Sequence, residues 1–378
     1  MNNISTFLEK SGEIHNLLSL LDKVLKTRPK ALTIFSASKN KFTKVTMNPI
    51  LKALDIPVSG GIFHKIIYKD QLLAKGSIIV AWYNEIKITN YKNIENTTSI
   101  RDLVGTSIQD LTAKDNGEYL IFIDSAVPKL EDNLDVLYKK IGFRASFAGG
   151  GAGSIKLKSQ PCIFTNDGLL RNVMQTVATN HKAKITTTHG WQKQSGPHLV
   201  TSSYKTKIKT LNYEPVIPYF KKHNTLFRNH NLKSTAFSSF FNEYPIGIEN
   251  IDGELLIREP VRFTEDEIEY IGNIPEYSKI HILAGTKDSS RESVNKELQK
   301  LKLKEEKGTD ATFIFACAYR DDSDHNGYSK EIKMLNNHVS NKENVIGVMT
   351  MGEIATGKSR LLHLQTQSIV ISRLSGEQ

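Results

Sequence analysis

His189 and Trp191 stand on either side of Gly190, which puts an imidazole and an indole around a residue with no side chain. The triplet closes the β-branched run Ile185-Thr186-Thr187-Thr188. A strand end of this kind makes a pocket wall, although a single histidine is more often a hydrogen-bonded core or surface residue. One axial nitrogen and an apolar slot are enough to hold a non-covalent haem. Neither CxxCH, for covalent haem, nor HExxH, for zinc, occurs in the chain. Arg320 and Glu353 each follow an apolar run, at positions where side chains face a pocket. Arg320 can grip a carboxylate with two parallel hydrogen bonds, and an ion pair, with each other or with other residues, is the structural alternative for both. No Ser-His-Asp grouping or catalytic carboxylate pair stands out, and Asp321-Asp322 with Asp324 reads as a solvated loop, so no enzyme is expected.

Gly149, Gly150, Gly151 and Gly153 place four glycines in five residues, with Ser154 next in line. So bare a backbone allows close approach to its amides by a ligand or by another segment. Ser154 stands where the dinucleotide fingerprint needs its third glycine, so the run is not that motif. Gly352-Glu353-Ile354-Ala355-Thr356-Gly357-Lys358-Ser359 matches the phosphate-loop pattern letter for letter. Downstream of it, Leu364 to Ile371 reads as a strand. A phosphate loop must open a helix whose amides hold the anion, so the match is expected to be inert.

The elements that must position these residues alternate between helix and strand signals. Apolar residues from Ile14 to Leu25 recur at helical spacing. Ala31–Ser36 and Glu118–Asp124 read as buried strands, Thr43–Leu54 as a helix interrupted by Pro49, and Leu130–Ile141 as a helix. Lys69-Asp70 suggests a hairpin between Gly61–Tyr68 and Ser77–Tyr83, and Asp252-Gly253 one between Ile246–Ile251 and Glu254–Arg258. Further on, a strand at Lys279–Leu283, a helix at Ser289–Lys302, a strand at Ala311–Ala318, a helix at Tyr328–His338 and strands at Val345–Met351 and Leu364–Ser372 complete the chain. No short repeat is visible. The frequent hairpins argue against a purely parallel sheet. The fold class is α+β: two halves, each a mixed, mainly antiparallel sheet covered by helices. Length points to two domains, and the polar, proline-bearing stretch from Tyr213 to Tyr244 sets them at 1–212 and 213–378.

Among 378 residues, 39% are hydrophobic and 24% charged, which suits a globular protein. No apolar run approaches the ~20 residues of a membrane helix. Cys162 and Cys317 lie inside apolar runs and read as buried thiols, and no secretory signal opens the chain, so a cytoplasmic location is expected. Between Lys139 and Phe241 there are 16 Lys and Arg residues against Asp167 and Glu214 alone. Such a segment attracts a carboxylate or propionate, an acidic partner or nucleic acid. Regular basic–aromatic interleaving is absent, which argues against nucleic acid.

The glycine run, Pro161-Cys162, His189-Gly190-Trp191 and Gly352-Glu353-Ile354, taken in order from Ser59-Gly60-Gly61 onward, resemble the FIST sensory family, with N-terminal and C-terminal FIST halves. Relatives usually carry proline where this chain has His64. The resemblance implies a ligand-binding sensor whose ligand contacts Gly149, Gly150, Gly151, Gly153, His189, Trp191, Arg320 and Glu353. At His189-Gly190-Trp191 it resembles the haem-binding branch that senses nitric oxide, which implies His189 as axial metal ligand, with His64, His181 and His198 as alternatives. The other implied ligand is a small anion or amino acid bound without haem. The resemblance further implies a two-component pathway in which a separate histidine kinase receives the signal.

Overall fold

The computed structural model describes residues 3–95, 117–155, 159–223, 244–285, 287–300, 309–322, 327–338 and 344–376. Residues 224–243, where most of the expected domain boundary falls, and Asp324 lie outside the described residues, as do residues 301–302 at the end of the expected 289–302 helix. The chain forms two compact units. The larger comprises Met1–Thr188, Val294–His363 and Ile369–Gln378; the smaller comprises His189–Ser293 and Leu364–Ser368. These units cut across the 1–212 and 213–378 halves, because strands from both ends of the chain share the larger unit's sheets.

Among the described residues the larger unit holds three six-stranded sheets with one plan. In the first, parallel strands Ala31–Ala37 and Val58–Phe63 lie side by side. Ser77–Trp82 runs antiparallel to Ala31–Ala37, and Ile4–Glu9 is antiparallel to Ser77–Trp82. The second repeats this with the parallel pair Glu118–Asp124 and Ser146–Ala152, then Val173–Thr179, then Lys87–Lys92. The third does so with Thr309–Cys317 and Asn344–Thr350, then Ile369–Ser375, then Lys182–Thr188. Each repeat also sends a hairpin to complete another repeat's sheet. Ile66–Tyr68 and Gln71–Leu73 join the third sheet, Ile163–Thr165 and Gly168–Leu170 the first, and Glu353–Thr356 with Leu362–Gln365 the second. The exchange closes a cycle.

Sequence carries this threefold plan at a few positions only. Each central strand contains an Ile-Phe pair: Ile34-Phe35, Ile121-Phe122 and Ile314-Phe315. Opposite each isoleucine on the parallel neighbour stands a glycine, namely Gly60, Gly149 and Gly347. A Cβ there would come within 2.1, 2.0 and 2.2 Å of the carbonyl oxygens of Ile34, Ile121 and Ile314. The phenylalanines meet at the shared core, with ring centroids 5.4 Å apart for Phe35 and Phe122 and 6.3 Å for Phe122 and Phe315. A repeat kept by two residue types, in strands separated by long unlike stretches of chain, is below what pattern-reading detects.

Helices follow their local signals. Ile14–Leu25 buries Leu17, Leu21 and Val24 on one stripe. Lys44–Lys52 starts at a capping box formed by Thr43 and Thr46 and carries Pro49 inside it. Leu130–Ile141 begins with Glu131 and Asp132 and ends with Lys139 and Lys140, each sign at its favoured end of the dipole. The Lys69-Asp70 turn joins Ile66–Tyr68 to Gln71–Leu73 rather than to Ser77–Trp82. Residues Gly76 and Ser77 break the hairpin and return the chain to the first sheet, where the apolar run Ile78–Trp82 is buried on both faces.

In the smaller unit an antiparallel sheet is built around the long strand Gln192–Tyr204, flanked by Lys279–Ala284 on one side and Lys207–Leu211 on the other. Ile246–Glu249 pairs with Leu255–Arg258 as the Asp252-Gly253 signal requires. Asn250 shapes that turn by accepting the amides of Asp252 and Glu254 at 3.0 and 2.9 Å. Its core gathers Val200, Leu211, Phe220, Ile246, Ile268 and Ile282, with the helix Val216–His223 packed on it.

Candidate functional site

In open α/β arrangements ligands collect beyond the carboxyl ends of parallel strands. The larger unit has three such ends, and polar residues crowd two of them. Asp124 closes its strand 1% exposed, its Oδ1 accepting the Ala126 amide at 3.0 Å and its Oδ2 the Asn172 amide at 2.8 Å. Burial, and then the Asp124 carboxylate, push the Cys162 thiol well up, so Cys162 stays protonated and donates to Asp124. That thiol is unreactive. Ser125 donates through Oγ to the Ala152 carbonyl at 2.7 Å.

At the neighbouring end, the Ala318 amide donates to the Thr350 carbonyl at 2.8 Å, tying the residues before Arg320 to the strand that precedes Glu353. Glu353 is fully buried and its Oε1 accepts from Thr350 Oγ1 at 2.8 Å. Arg320 Nη2 donates to both carboxylate oxygens of Glu331, at 3.2 and 3.0 Å, with the two side chains 10% and 7% exposed. The ion pair that sequence left open for Arg320 thus has Glu331 as its partner.

The glycine run is a strand, not a loop. Gly149 and Gly150 sit opposite Ile354 and Glu353 in an antiparallel pair, and opposite Ile121 and Phe122 in a parallel one. Amides of Gly151 and Gly153 donate to the carbonyls of Gly352 and Ile62, each at 2.9 Å. Bare backbone is used here for close packing. A Cβ on Gly150 would lie 2.4 Å from the Thr350 methyl, and one on Gly151 would lie 2.4 Å from the Met351 carbonyl oxygen. The amides of Gly151 and Gly153, which the resemblance implies for a ligand, are engaged in these hydrogen bonds.

Gly149, Gly150, Gly151, Gly153, Arg320 and Glu353 therefore share the larger unit, whereas His189 and Trp191 belong to the smaller. The Trp191 amide donates to His189 Nδ1 at 2.9 Å, and the Trp191 ring lies against Gly285, where a Cβ would come within 3.0 Å of it. An imidazole whose Nδ1 accepts a hydrogen bond carries its neutral proton on Nε2, the atom that would have to bind iron. His189 in this conformation does not fit an axial ligand. Nor do two of the alternatives: His181, 2% exposed, contacts Thr179 through Nδ1 and Asp310 through Nε2 at 3.1 Å. His198 contacts Tyr219 through Nδ1 at 3.0 Å and Ser195 through Nε2 at 3.1 Å. His64 follows the strand Val58–Phe63 and its carbonyl accepts from Ser38 Oγ at 3.1 Å. Among the described residues no group of three or more His, Cys, Asp or Glu is arranged to hold a metal ion.

The phosphate-loop match is the tip of a hairpin. Glu353–Thr356 is a strand, the Gly357 amide donates to the Leu361 carbonyl at 2.9 Å, and Leu362–Gln365 returns as a strand. Arg360 pins the tip by donating to the carbonyls of Phe143 at 3.2 Å and Arg144 at 2.6 Å. No helix opens from this tip to supply phosphate-binding amides. The basic segment is partly neutralised: Lys193 pairs with Glu249 at 2.6 Å, Lys207 with Glu267 at 2.5 Å and Lys222 with Glu214 at 3.0 Å.

Sequence reading missed Asp124, Ser125, Thr350 and Glu331. Asp124 carried the signal used for Arg320, a polar residue ending an apolar run. Glu331 sits within a helical pattern that gave no reason to single it out. Among the described residues no helix is long and apolar enough to cross a membrane. Two family models match the chain, the FIST N domain over residues 31–214 and the FIST C domain over residues 224–356. No curated protein matches it. The chain belongs to the FIST family, whose domains are ligand-binding sensors of signal transduction.

Proposed function

We propose that this sensor takes a small polar ligand, an amino acid or similar carboxylate, without haem, at the carboxyl ends of the strands Thr309–Cys317 and Asn344–Thr350. The observation that carries the reading is the placement of Arg320 and Glu353 at those ends, a guanidinium and a carboxylate whose charges match the two ends of a zwitterion. Arg320 is held in a fork by Glu331 in this structure, so a ligand carboxylate would exchange with Glu331 for the guanidinium. That exchange is a switch, because it releases the helix Gly327–His338, which carries Glu331, from the arginine. The protein binds rather than transforms its ligand, and a separate protein such as a histidine kinase reads the two states. Haem would instead need a histidine with a ring nitrogen open to iron, and His181, His189 and His198 do not fit it as they stand.

The test is a thermal-shift screen of the twenty amino acids and simple dicarboxylates. One of them should raise the wild-type Tm by several degrees, as expected for a ligand at ~100 times its Kd. Arg320→Lys keeps the charge, loses the planar fork and should abolish the shift. A Tm unmoved by every compound, or a shift retained in Arg320→Lys, overturns the reading. A Soret band after incubation with hemin that is lost on histidine substitution would return the haem reading.

A further inference from the structure

Two imidazoles meet one phenol in the smaller unit, and a third stands near the first of them. His198 projects from the strand Gln192–Tyr204, 9% exposed, with Nδ1 3.0 Å from Tyr219 Oη and Nε2 3.1 Å from Ser195 Oγ. Tyr219 lies on the helix Val216–His223, and its hydroxyl also accepts from Asn212 Nδ2 at 2.6 Å. With Asn212 donating to the phenol oxygen, the phenol's own proton points at His198 Nδ1, and His198 carries its proton on Nε2. His223 lies tilted against the Tyr219 ring at 4.5 Å between centroids and lies 3.7 Å from Glu214. His281, 4% exposed, packs its Nδ1 toward Gly196 and shares Nε2 with Glu249 at 2.6 Å.

We infer that this cluster is a proton-operated latch, in which neutral His198 holds the helix Val216–His223 on the sheet through Tyr219 and protonated His198 releases it. A proton on Nδ1 leaves two donors, N–H and O–H, facing each other across 3.0 Å, and the Tyr219–His198 bond survives only if the phenol turns its proton away. The new charge also stands near His281 and His223. Charged groups that face the cluster are Lys222 and Glu214 from the helix and its approach, and Glu249, which both Lys193 and His281 contact. Glu214 and Glu249 stay ionised in the relevant range, held down first by their hydrogen bonds to Lys222 and Lys193.

Burial, followed by His281 and His223, holds the His198 imidazole below its usual range. A released helix binds that proton more readily than a docked one. Docking is therefore fully favoured above about pH 6.5 and is lost as pH falls through the lowered value. The helix occupies the gap between the two family-model matches, which end at residue 214 and resume at residue 224, so the latch joins the two FIST segments along the chain. The inference is independent of the ligand proposed above.

Hydrogen exchange read by mass spectrometry on the full chain, corrected for the intrinsic pH dependence of exchange, tests the latch. Amide protection in residues 216–223 should fall about tenfold between pH 7.5 and pH 5.5, one unit below the ordinary histidine value. His198→Gln should remove that pH dependence, and Tyr219→Phe should diminish it while leaving the apolar packing of the ring in place. His281→Gln should keep it. Protection that does not change with pH in the wild type overturns the latch, as does an undiminished pH response in Tyr219→Phe.

Discussion

Glu118 shows how far one buried group can report on the fold. Its side chain is fully buried at the start of the second sheet's central strand, with Oε1 accepting from Ser372 Oγ at 2.8 Å across to the third sheet. Burial pushes its carboxyl up from 4.5 to about 8, with the Ser372 bond opposing the rise. The neutral acid is the form the fold accepts, so this group's contribution is intact below pH 4.5 and disappears as pH rises through about 8. Glu118→Gln retains an acceptor for Ser372 and cannot ionise. Its Tm advantage over wild type should grow steadily from pH 5 to pH 8 and then level off; parallel Tm–pH profiles for the two proteins would contradict it. Gln175 is a buried polar residue without that liability. It accepts the Gly60 amide at 2.8 Å and donates to the Phe164 carbonyl at 3.1 Å and to Asn90 at 2.7 Å, which ties the first two sheets together.

Among the elements, the parallel pairs make the sharpest demand on sequence. Gly60, Gly149 and Gly347 fill equivalent positions, and each lies against an isoleucine carbonyl that a Cβ would overlap. Backbone has no rotamer to move, so alanine there must push the strands apart, at a cost of about 1–3 kcal/mol. Gly60→Ala should be the most damaging of the three, since its φ of +102° is also unfavourable for a side chain. Gly253→Ala is the comparison: φ is +73° but no atom lies within 4 Å, leaving only the backbone term of roughly 1 kcal/mol. Denaturant titrations of the four variants should rank them in that order. Equal losses at Gly149 and Gly253 would show that close packing is not what these glycines serve.

At the scale of the whole molecule, legibility followed the range of each interaction. Local signals were readable: the Ile14–Leu25 stripe, the Leu130–Ile141 charge ends and the Asp252-Gly253 turn all led to the observed elements. The mixed sheets covered by helices also followed from them. The threefold exchange of hairpins was not readable, because pairing of Ile66–Tyr68 with Asn344–Thr350 depends on residues nearly three hundred positions apart and on no local motif. The same limit governed the site. Arg320 and Glu353 were visible as polar ends of apolar strands, but Glu331 as the arginine's partner was not. Nor does sequence order show that the chain passes from one compact unit to another after Thr188, just before His189 and Trp191.

Isothermal titration of the most stabilising amino acid or carboxylate into the full chain, with wild type and Arg320→Lys side by side, tests the central claim most directly. Binding of one ligand per chain in the wild type, weakened at least tenfold in Arg320→Lys, is the expected result, since one lost bidentate contact to a charged group is worth about 1.5–3 kcal/mol. Equal affinity in the two proteins, or no heat from any carboxylate beside tight uptake of haem, would contradict it.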